Sequence, residues 1–475
     1  MQTELFIGGQ WRPASDGATF PIIDPSTEQT IAEVSSATVD DVTDAVEIAA
    51  VAGKKWAQRA PRERAEILRK AWELLRDRKD EIATYIVREN GKAMPDAVGE
   101  TSYAIEFFRW YAEEAVRNYG EILTSPAGGN KIVVMQQPIG VSVLVTPWNY
   151  PAAMATRKIA PAIAAGCAVI LKPASDTPLT ALLVAEILTE AGVPPGVMNV
   201  VPSRRSGEVV GAMLHHPLTR KLSFTGSTEV GRALLKEAAD CVVNCSMELG
   251  GNAPFLVFED ADIDAAVAGA MIAKMRNGGE ACTAANRFYA HERVYQEFTD
   301  KFTAAMAAFK VGPGHESGVE LGPMINEWAI KDMDRLVQDA TAKGSEVLTG
   351  GAPLQRTGYY YPPTVLGNVP ADADILREEV FGPVAPILSF SDDDEVIAQA
   401  NDTEFGLVSY LYTRDIGRGM AISERLDAGM IGLNRGLVSD PAAPFGGMKQ
   451  SGLGREGSHE GMMEYMEMKY IAVEW

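Results

Sequence analysis

Cys282 is the residue whose type and setting most suit covalent chemistry. It ends the run Asn277-Gly278-Gly279-Glu280-Ala281-Cys282. Glycines beside a thiol permit a tight backbone that exposes the sulfur and lets a substrate carbon come close. The other cysteines offer no second nucleophile. Cys167 and Cys241 sit in apolar runs and are expected in the core. Cys241 and Cys245 are four residues apart, but no His stands near them to complete a metal site, so no metal is expected. None of the five histidines (His215, His216, His291, His315 and His459) is placed by sequence to activate Cys282, and surface positions are expected for them. A Cys–His pair is therefore unsupported. Glu248 enters the turn Leu249-Gly250-Gly251. A carboxylate there is a general base if desolvation raises its pKa, and an inert surface group if water keeps it.

These side chains must be held by the segment from Gly140 to Gly251, which alternates between two periodicities. Val141–Val145, Ala168–Leu171, Met198–Val201 and Leu222–Phe224 read as short, mostly apolar strands. The stretches between them, ending at Gly166, Gly192 and His215, and the run from Thr228 to Ala239, read as helices. This alternation predicts a parallel sheet buried on both faces, whose ligands bind beyond the carboxyl ends of the strands. Those ends carry Thr146-Pro147-Trp148-Asn149, Lys172, Ser203-Arg204-Arg205 and Gly226-Ser227, a polar and partly cationic rim suited to a nucleotide. The alternation resumes at Ala253, predicting a second α/β domain, and Val39 to Gly91 reads as helices. Lys131–Met135 and Tyr465–Trp475 read as strands without a hairpin partner nearby. Pairing of the two would make a small separate sheet with an edge open to self-association.

The chain has 475 residues, enough for two or three domains, with 46% apolar and 23% charged residues as in ordinary globular proteins. Its net charge of −21 repels nucleic acid and anionic membranes. The longest apolar run, Ile159 to Leu171, is interrupted by Pro161 and too short to span a bilayer. No basic and apolar leader follows Met1, and four cysteines are too few for a disulfide scaffold, so a reducing cytoplasm is the expected location.

Six motifs stand in one order: Thr146-Pro147-Trp148-Asn149-Tyr150-Pro151, Phe224-Thr225-Gly226-Ser227, Glu248-Leu249-Gly250-Gly251, Gly279-Glu280-Ala281-Cys282, Glu378-Glu379-Val380-Phe381-Gly382-Pro383 and Pro444-Phe445-Gly446-Gly447. In this the chain resembles the aldehyde dehydrogenase superfamily from about Leu5 to Tyr470. The resemblance implies an α/β fold with a Rossmann-type cofactor domain (1–121 and 141–250, with 443–454 returning to it), an α/β catalytic domain (251–442) and oligomerisation strands (122–140 and 455–475) that build a homodimer or homotetramer. It implies that the Cys282 thiolate attacks an aldehyde, that the Asn149 amide and the Cys282 N–H hold the oxyanion, that hydride leaves for the nicotinamide, and that Glu248 activates the water which hydrolyses the thioester. It places Thr146, Pro147, Trp148, Lys172, Ser175, Arg205, Gly207, Gly226, Ser227, Glu379 and Phe381 around the cofactor. Two departures stand out. Ser203-Arg204-Arg205-Ser206 replaces a glycine-rich turn, and Glu280 stands where many members have Gln; a negative charge there would raise the Cys282 pKa if it faced the sulfur.

Within the superfamily the chain is most similar to the NADP-preferring succinate-semialdehyde dehydrogenases, in which two arginines and a serine hold the substrate's far carboxylate. Arg157, Arg276 and Ser439 stand at the matching positions. A guanidinium fork suits a carboxylate, although an isolated Arg is ordinarily surface charge. Glutarate semialdehyde, one methylene longer, is the rival substrate, and other small aliphatic or aromatic aldehydes are not excluded. Ser175 occupies the position where NAD-preferring relatives carry a Glu, which points to NADP with NAD as a possible second cofactor, unless Asp176 turns inward. A catalytically silent member and a coenzyme-A-acylating enzyme are the remaining readings, and intact Cys282, Glu248 and Asn149 oppose them.

Overall fold

Val141–Val145 is buried along its whole length, as expected of a central parallel strand. In the structure, a computed structural model describing residues 1–474, it is the middle of an eight-stranded sheet. Met198–Val200, Ala168–Lys172, Val141–Val145, Thr219–Thr225 and Asn244–Glu248 lie side by side and parallel. By chain order this is 3-2-1-4-5, so the order reverses between Val141–Val145 and Thr219–Thr225. A crevice opens at such a reversal, beyond the strands' carboxyl ends. Leu5–Ile7 and Gln10–Arg12 extend one edge, and Gly452–Leu453 closes the other against Met247 and Glu248.

The helix Pro151–Ala165 follows the central strand and is buried at every position, with Pro at its start and Gly166 in the left-handed conformation at its end. Three helices, Val39–Ala57, Pro61–Asp77 and Lys79–Asn90, fill the expected helical stretch, and Met94–Glu114 packs across the buried helix.

A second sheet of seven strands runs Glu346–Thr349, Thr364–Gly367, Val384–Phe390, Ala285–His291, Ala253–Val257, Val408–Tyr412 and Met430–Leu433, parallel except for the first pair. Its core is aromatic, with Phe255 against Phe288, Phe298, Tyr410 and Tyr412.

The two distant strands do pair. Lys131–Pro138 runs antiparallel to Met466–Val473 through eight residue pairs, and Glu121–Thr124 adds a third strand. The last residue of the expected terminal strand, Trp475, lies outside the described residues. Two expectations are corrected. Cys241 is exposed, because it lies at the carboxyl end of the helix Thr228–Asp240 and not within it. His291 is buried, since it ends a core strand, where its ring meets Phe390 edge-on and its Nδ1 accepts the Arg293 N–H.

Candidate active site

The strand ends of the first sheet meet the second α/β unit across a cavity of about 850 Å³. Thr146, Pro147, Trp148, Asn149, Lys172, Ser175, Gly226 and Ser227 line it from the first sheet's side, and Arg276, Cys282, Glu379, Phe381 and Ser439 from the other; Arg157 also reaches it. Chain segments up to about 290 residues apart thus converge on one space.

Two glycine segments set the geometry. Asn277, Gly278 and Gly279 all have positive φ, turning the chain sharply just before Cys282. A Cβ on Gly279 would lie 2.2 Å from the Gly382 carbonyl oxygen, and one on Gly251 would lie 2.3 Å from that of Cys282. The turn after Glu248 therefore presses directly on the nucleophile loop. Its Gly251 N–H donates to Glu379 Oε1 at 2.9 Å.

Asn149 is held firmly. Its Nδ2 donates to the Glu280 carbonyl at 3.0 Å, which leaves one of its two amide hydrogens over. The Glu280 carboxyl accepts the Ile325 N–H at 3.2 Å, and burial pushes it up to about 8. It is absent from the charges that act most on Cys282. Burial pushes the Cys282 thiol up to about 12; Arg157 draws it down, Glu379 and Glu248 push it up, and Arg276 draws it down.

Glu248 does not line the cavity, although Leu249 and Gly250 after it do; it is 2% exposed, with Oε2 unpartnered among the described residues. Burial raises its carboxyl well above the usual range. The Glu456 charge raises it further, and Arg157, Lys158 and Arg455 oppose the rise. Sequence reasoning missed Glu456. It forms ion pairs with both Arg157 and Lys158, and Lys158 Nζ donates to Ser223 Oγ at 3.0 Å. No sequence pattern marks it; folding brings it there by returning the strand Gly452–Leu453 to Met247 and Glu248.

Arg157 and Arg276 differ. The Arg157 guanidinium is committed to Glu456 and to Met154 Sδ, and covers the Phe445 ring at 4.2 Å. It is therefore not the free carboxylate fork expected. Arg276 Nε donates to Tyr150 Oη at 3.1 Å, and among the described residues Arg276 has no ion pair within 4.0 Å. Asp96, the nearby carboxylate, is turned to the Asn277 N–H at 3.0 Å.

At the other end of the cavity, burial brings Lys172 down to about 8, with Asp176 opposing and Arg204 assisting. The Ser175 hydroxyl is spent on the Ser203 carbonyl at 2.9 Å, and Asp176 does line the cavity. Arg205 and Gly207 fall outside it. Arg205 pairs with Asp16 at 2.5 Å, which holds that carboxyl below its usual range, and Gly207 sits exposed in the first turn of the helix Ser206–His215, where Ser206 lines the cavity instead.

The cavity fits a dinucleotide by its own features. A Cβ on Gly226 would lie 2.5 Å from the Phe224 ring, so the strand end can turn closely into the helix Thr228–Asp240 only with glycine there. The first turn of that helix, capped by Ser227, faces the cavity, as an anion requires. Trp148 and Phe381 meet edge-on at 5.5 Å at the inner end.

Residues 11–471 match the aldehyde dehydrogenase family. The chain is 52% identical to a succinate-semialdehyde dehydrogenase of Paenarthrobacter nicotinovorans, over 93% of this chain and 98% of that one. It is 45% identical to a glutarate-semialdehyde dehydrogenase of Pseudomonas aeruginosa, over 99% and 97%. The crystal structure of an NADP-dependent Escherichia coli enzyme superposes with a TM-score of 0.98 at 44% identity, covering 100% of this chain and 98% of that one. With the thiol and the amide gathered at one crevice, and with the match running nearly end to end, the chain belongs to the aldehyde dehydrogenase family.

Proposed function

We propose that this enzyme oxidises succinate semialdehyde to succinate, with NADP as the preferred cofactor and NAD as a second one, in the cytoplasm and as a homo-oligomer. The observation that carries the substrate is Arg276. A guanidinium without an ion-pair partner among the described residues, at a cavity and six residues before Cys282, calls for an anion on the substrate. Ser439 adds a hydroxyl to the same wall. Arg157 contributes positive potential while its fork stays on Glu456. The 52% identity to a succinate-semialdehyde dehydrogenase supports the four-carbon substrate over its five-carbon homologue.

In this reading the Cys282 thiol gives up its proton to solvent, and Sγ forms a bond to the aldehyde carbon as the carbonyl π bond opens. The oxygen gains negative charge between the remaining Asn149 amide hydrogen and the Cys282 N–H. A dinucleotide held in the cavity would supply the acceptor for the hydrogen and electron pair of that carbon, and Cys282 would then carry the acyl group as a thioester. Glu248 then removes a proton from the attacking water, and the C–S bond breaks to release the acid. Lys172, Gly226, Ser227, Glu379 and Phe381 would hold the cofactor; Ser175 brings no carboxylate of its own to the adenosine end, and Asp176, which lines the cavity there, is offset by Lys172.

The test compares succinate semialdehyde, glutarate semialdehyde and butanal by reduced-cofactor absorbance. Arg276→Ala is expected to lower kcat/KM for succinate semialdehyde by about a hundredfold, the scale of a lost charged hydrogen-bond partner, and for butanal by less than about fivefold. Equal losses on both would assign Arg276 to structure. A wild type that favours glutarate semialdehyde would move the assignment to the longer acid.

A further inference from the structure

Lys92 and Glu100 are both almost completely buried and far from the reacting thiol in sequence. Their side chains pair at 2.6 Å. Every other polar contact they make goes to the backbone of one short segment. Lys92 Nζ donates to the Asn149 carbonyl at 2.6 Å and lies over the Tyr150 ring at 4.4 Å. Glu100 Oε1 accepts the N–H groups of Ala152 and Ala153, at 2.8 and 3.2 Å. Asn277 ties the same point to the nucleophile loop, its Nδ2 donating to the carbonyls of both Asn149 and Glu280. The Asn149 side chain donates to that same Glu280 carbonyl.

A buried ion pair is poor evidence for stability, because well-packed apolar side chains of similar volume often serve as well or better. What this pair adds is position. Its contacts fix the backbone that leaves the Asn149 Cα, from the Asn149 carbonyl to the Ala153 N–H, and so help set the origin of the side chain that carries the oxyanion donor. We propose that Lys92 and Glu100 are positioning residues for Asn149, holding its amide in register with Cys282. This rests on the reading of Asn149 as an oxyanion donor. Misplacing such a donor by about 1 Å loses about a hundredfold in rate.

The test is a double-mutant cycle on the full-length enzyme. Lys92→Met keeps the length of the stem and removes the charge; Glu100→Gln keeps an acceptor for the two amides and removes the charge that holds Lys92. Each is combined with Asn149→Ala. Pre-steady-state acylation, the KM for the aldehyde and cofactor affinity by quenching of tryptophan fluorescence are measured. Asn149→Ala alone is expected to slow acylation by about 10²–10³-fold. Lys92→Met or Glu100→Gln should slow it about tenfold or more in the native background, with KM and cofactor affinity within about threefold, and by less than about twofold in the Asn149→Ala background. Losses that multiply in the double variants would show that the pair does not act through Asn149, and would overturn the proposal alone. An Asn149→Ala enzyme of native rate would overturn the oxyanion reading and the proposal with it. If Lys92→Met fails to fold, the Glu100→Gln cycle decides by the same criterion.

Discussion

Burial pushes the Cys282 thiol up to about 12, which keeps it neutral at physiological pH despite Arg157 and Arg276 nearby. Glu248 is raised as well, so on the proposed mechanism both groups that give up a proton do so more readily as pH rises. Below its pKa the thiolate fraction grows tenfold per pH unit, so alkylation of Cys282 by iodoacetamide in the cofactor-free enzyme is expected to accelerate about tenfold per unit between pH 7 and 9. A rate that levels off below pH 8 would mean that a thiolate is already present. The same reasoning by charge governs the cofactor. Ser175→Glu sets a carboxylate beside the adenosine ribose, where unit charges about 4 Å apart repel by roughly 4 kcal/mol at an effective dielectric near 20. The expected outcome is a fall in kcat/KM for NADP of about tenfold or more and little loss for NAD. An unmoved ratio would remove Ser175 from the ribose. Cys282, Glu248 and Asn149 were legible in the sequence because their types and flanking glycines restrict what they can do. Arg205 was not, since its partner Asp16 lies 189 positions away and only folding brings the two together. Arg157 was half legible: its place near the centre was right, but Glu456, which occupies its fork, is a lone Glu with no pattern around it.

At the scale of elements, the reading of the sequence succeeded where periodicity was strong. The four parallel strands read from the sequence are short and mostly apolar, and a parallel sheet covered by helices buries both their faces; the fifth, Asn244–Glu248, with Asn, Ser and Glu among five residues, gave no such signal. The switch point could not be read, because strand order depends on which crossovers pass which way. The nucleophile loop shows what the elements must supply. Three successive positive-φ residues bring Gly279 against Gly382, so the loop that carries Cys282 is shaped by the segment that carries Glu379 and Phe381. Gly279→Ala adds a methyl where 2.2 Å is available and at φ +79°, so the backbone must move. This variant is expected to lose more than about a hundredfold in kcat, since a shift of about 1 Å at the reacting atoms suffices, while the far larger cores keep the fold. Circular dichroism and the acylation burst read the two effects separately. A burst of native amplitude and rate would mean that the loop tolerates the shift.

The whole molecule leaves one element unsupported. Glu121–Thr124, Lys131–Pro138 and Met466–Val473 form a sheet with open edges among the described residues. Ile122, Val133 and Ile471 are register partners, and so share one face as an apolar row; Leu123, Ile132 and Ala472 make the next row on the other face. Ile122 is 69% exposed and Tyr470 58%. A three-stranded sheet wet on both faces has too little buried surface to stand alone, and each large apolar side chain it covers against a partner is worth about 1.5–3 kcal/mol. The net charge of −21 disfavours an anionic membrane as that partner, and no helix is long and apolar enough to cross one. A second copy of this chain, adding strand to strand or face to face, meets the requirement by symmetry. The enzyme is therefore expected to run in light scattering at a multiple of 51.1 kDa. Ile122→Glu with Ile471→Glu places two like charges in the same row and should return it to the monomer mass, with the two larger sheets intact by circular dichroism. A native enzyme already at 51.1 kDa would leave this sheet without a self-association role, and a double variant that keeps the native mass would locate the contact elsewhere on the surface.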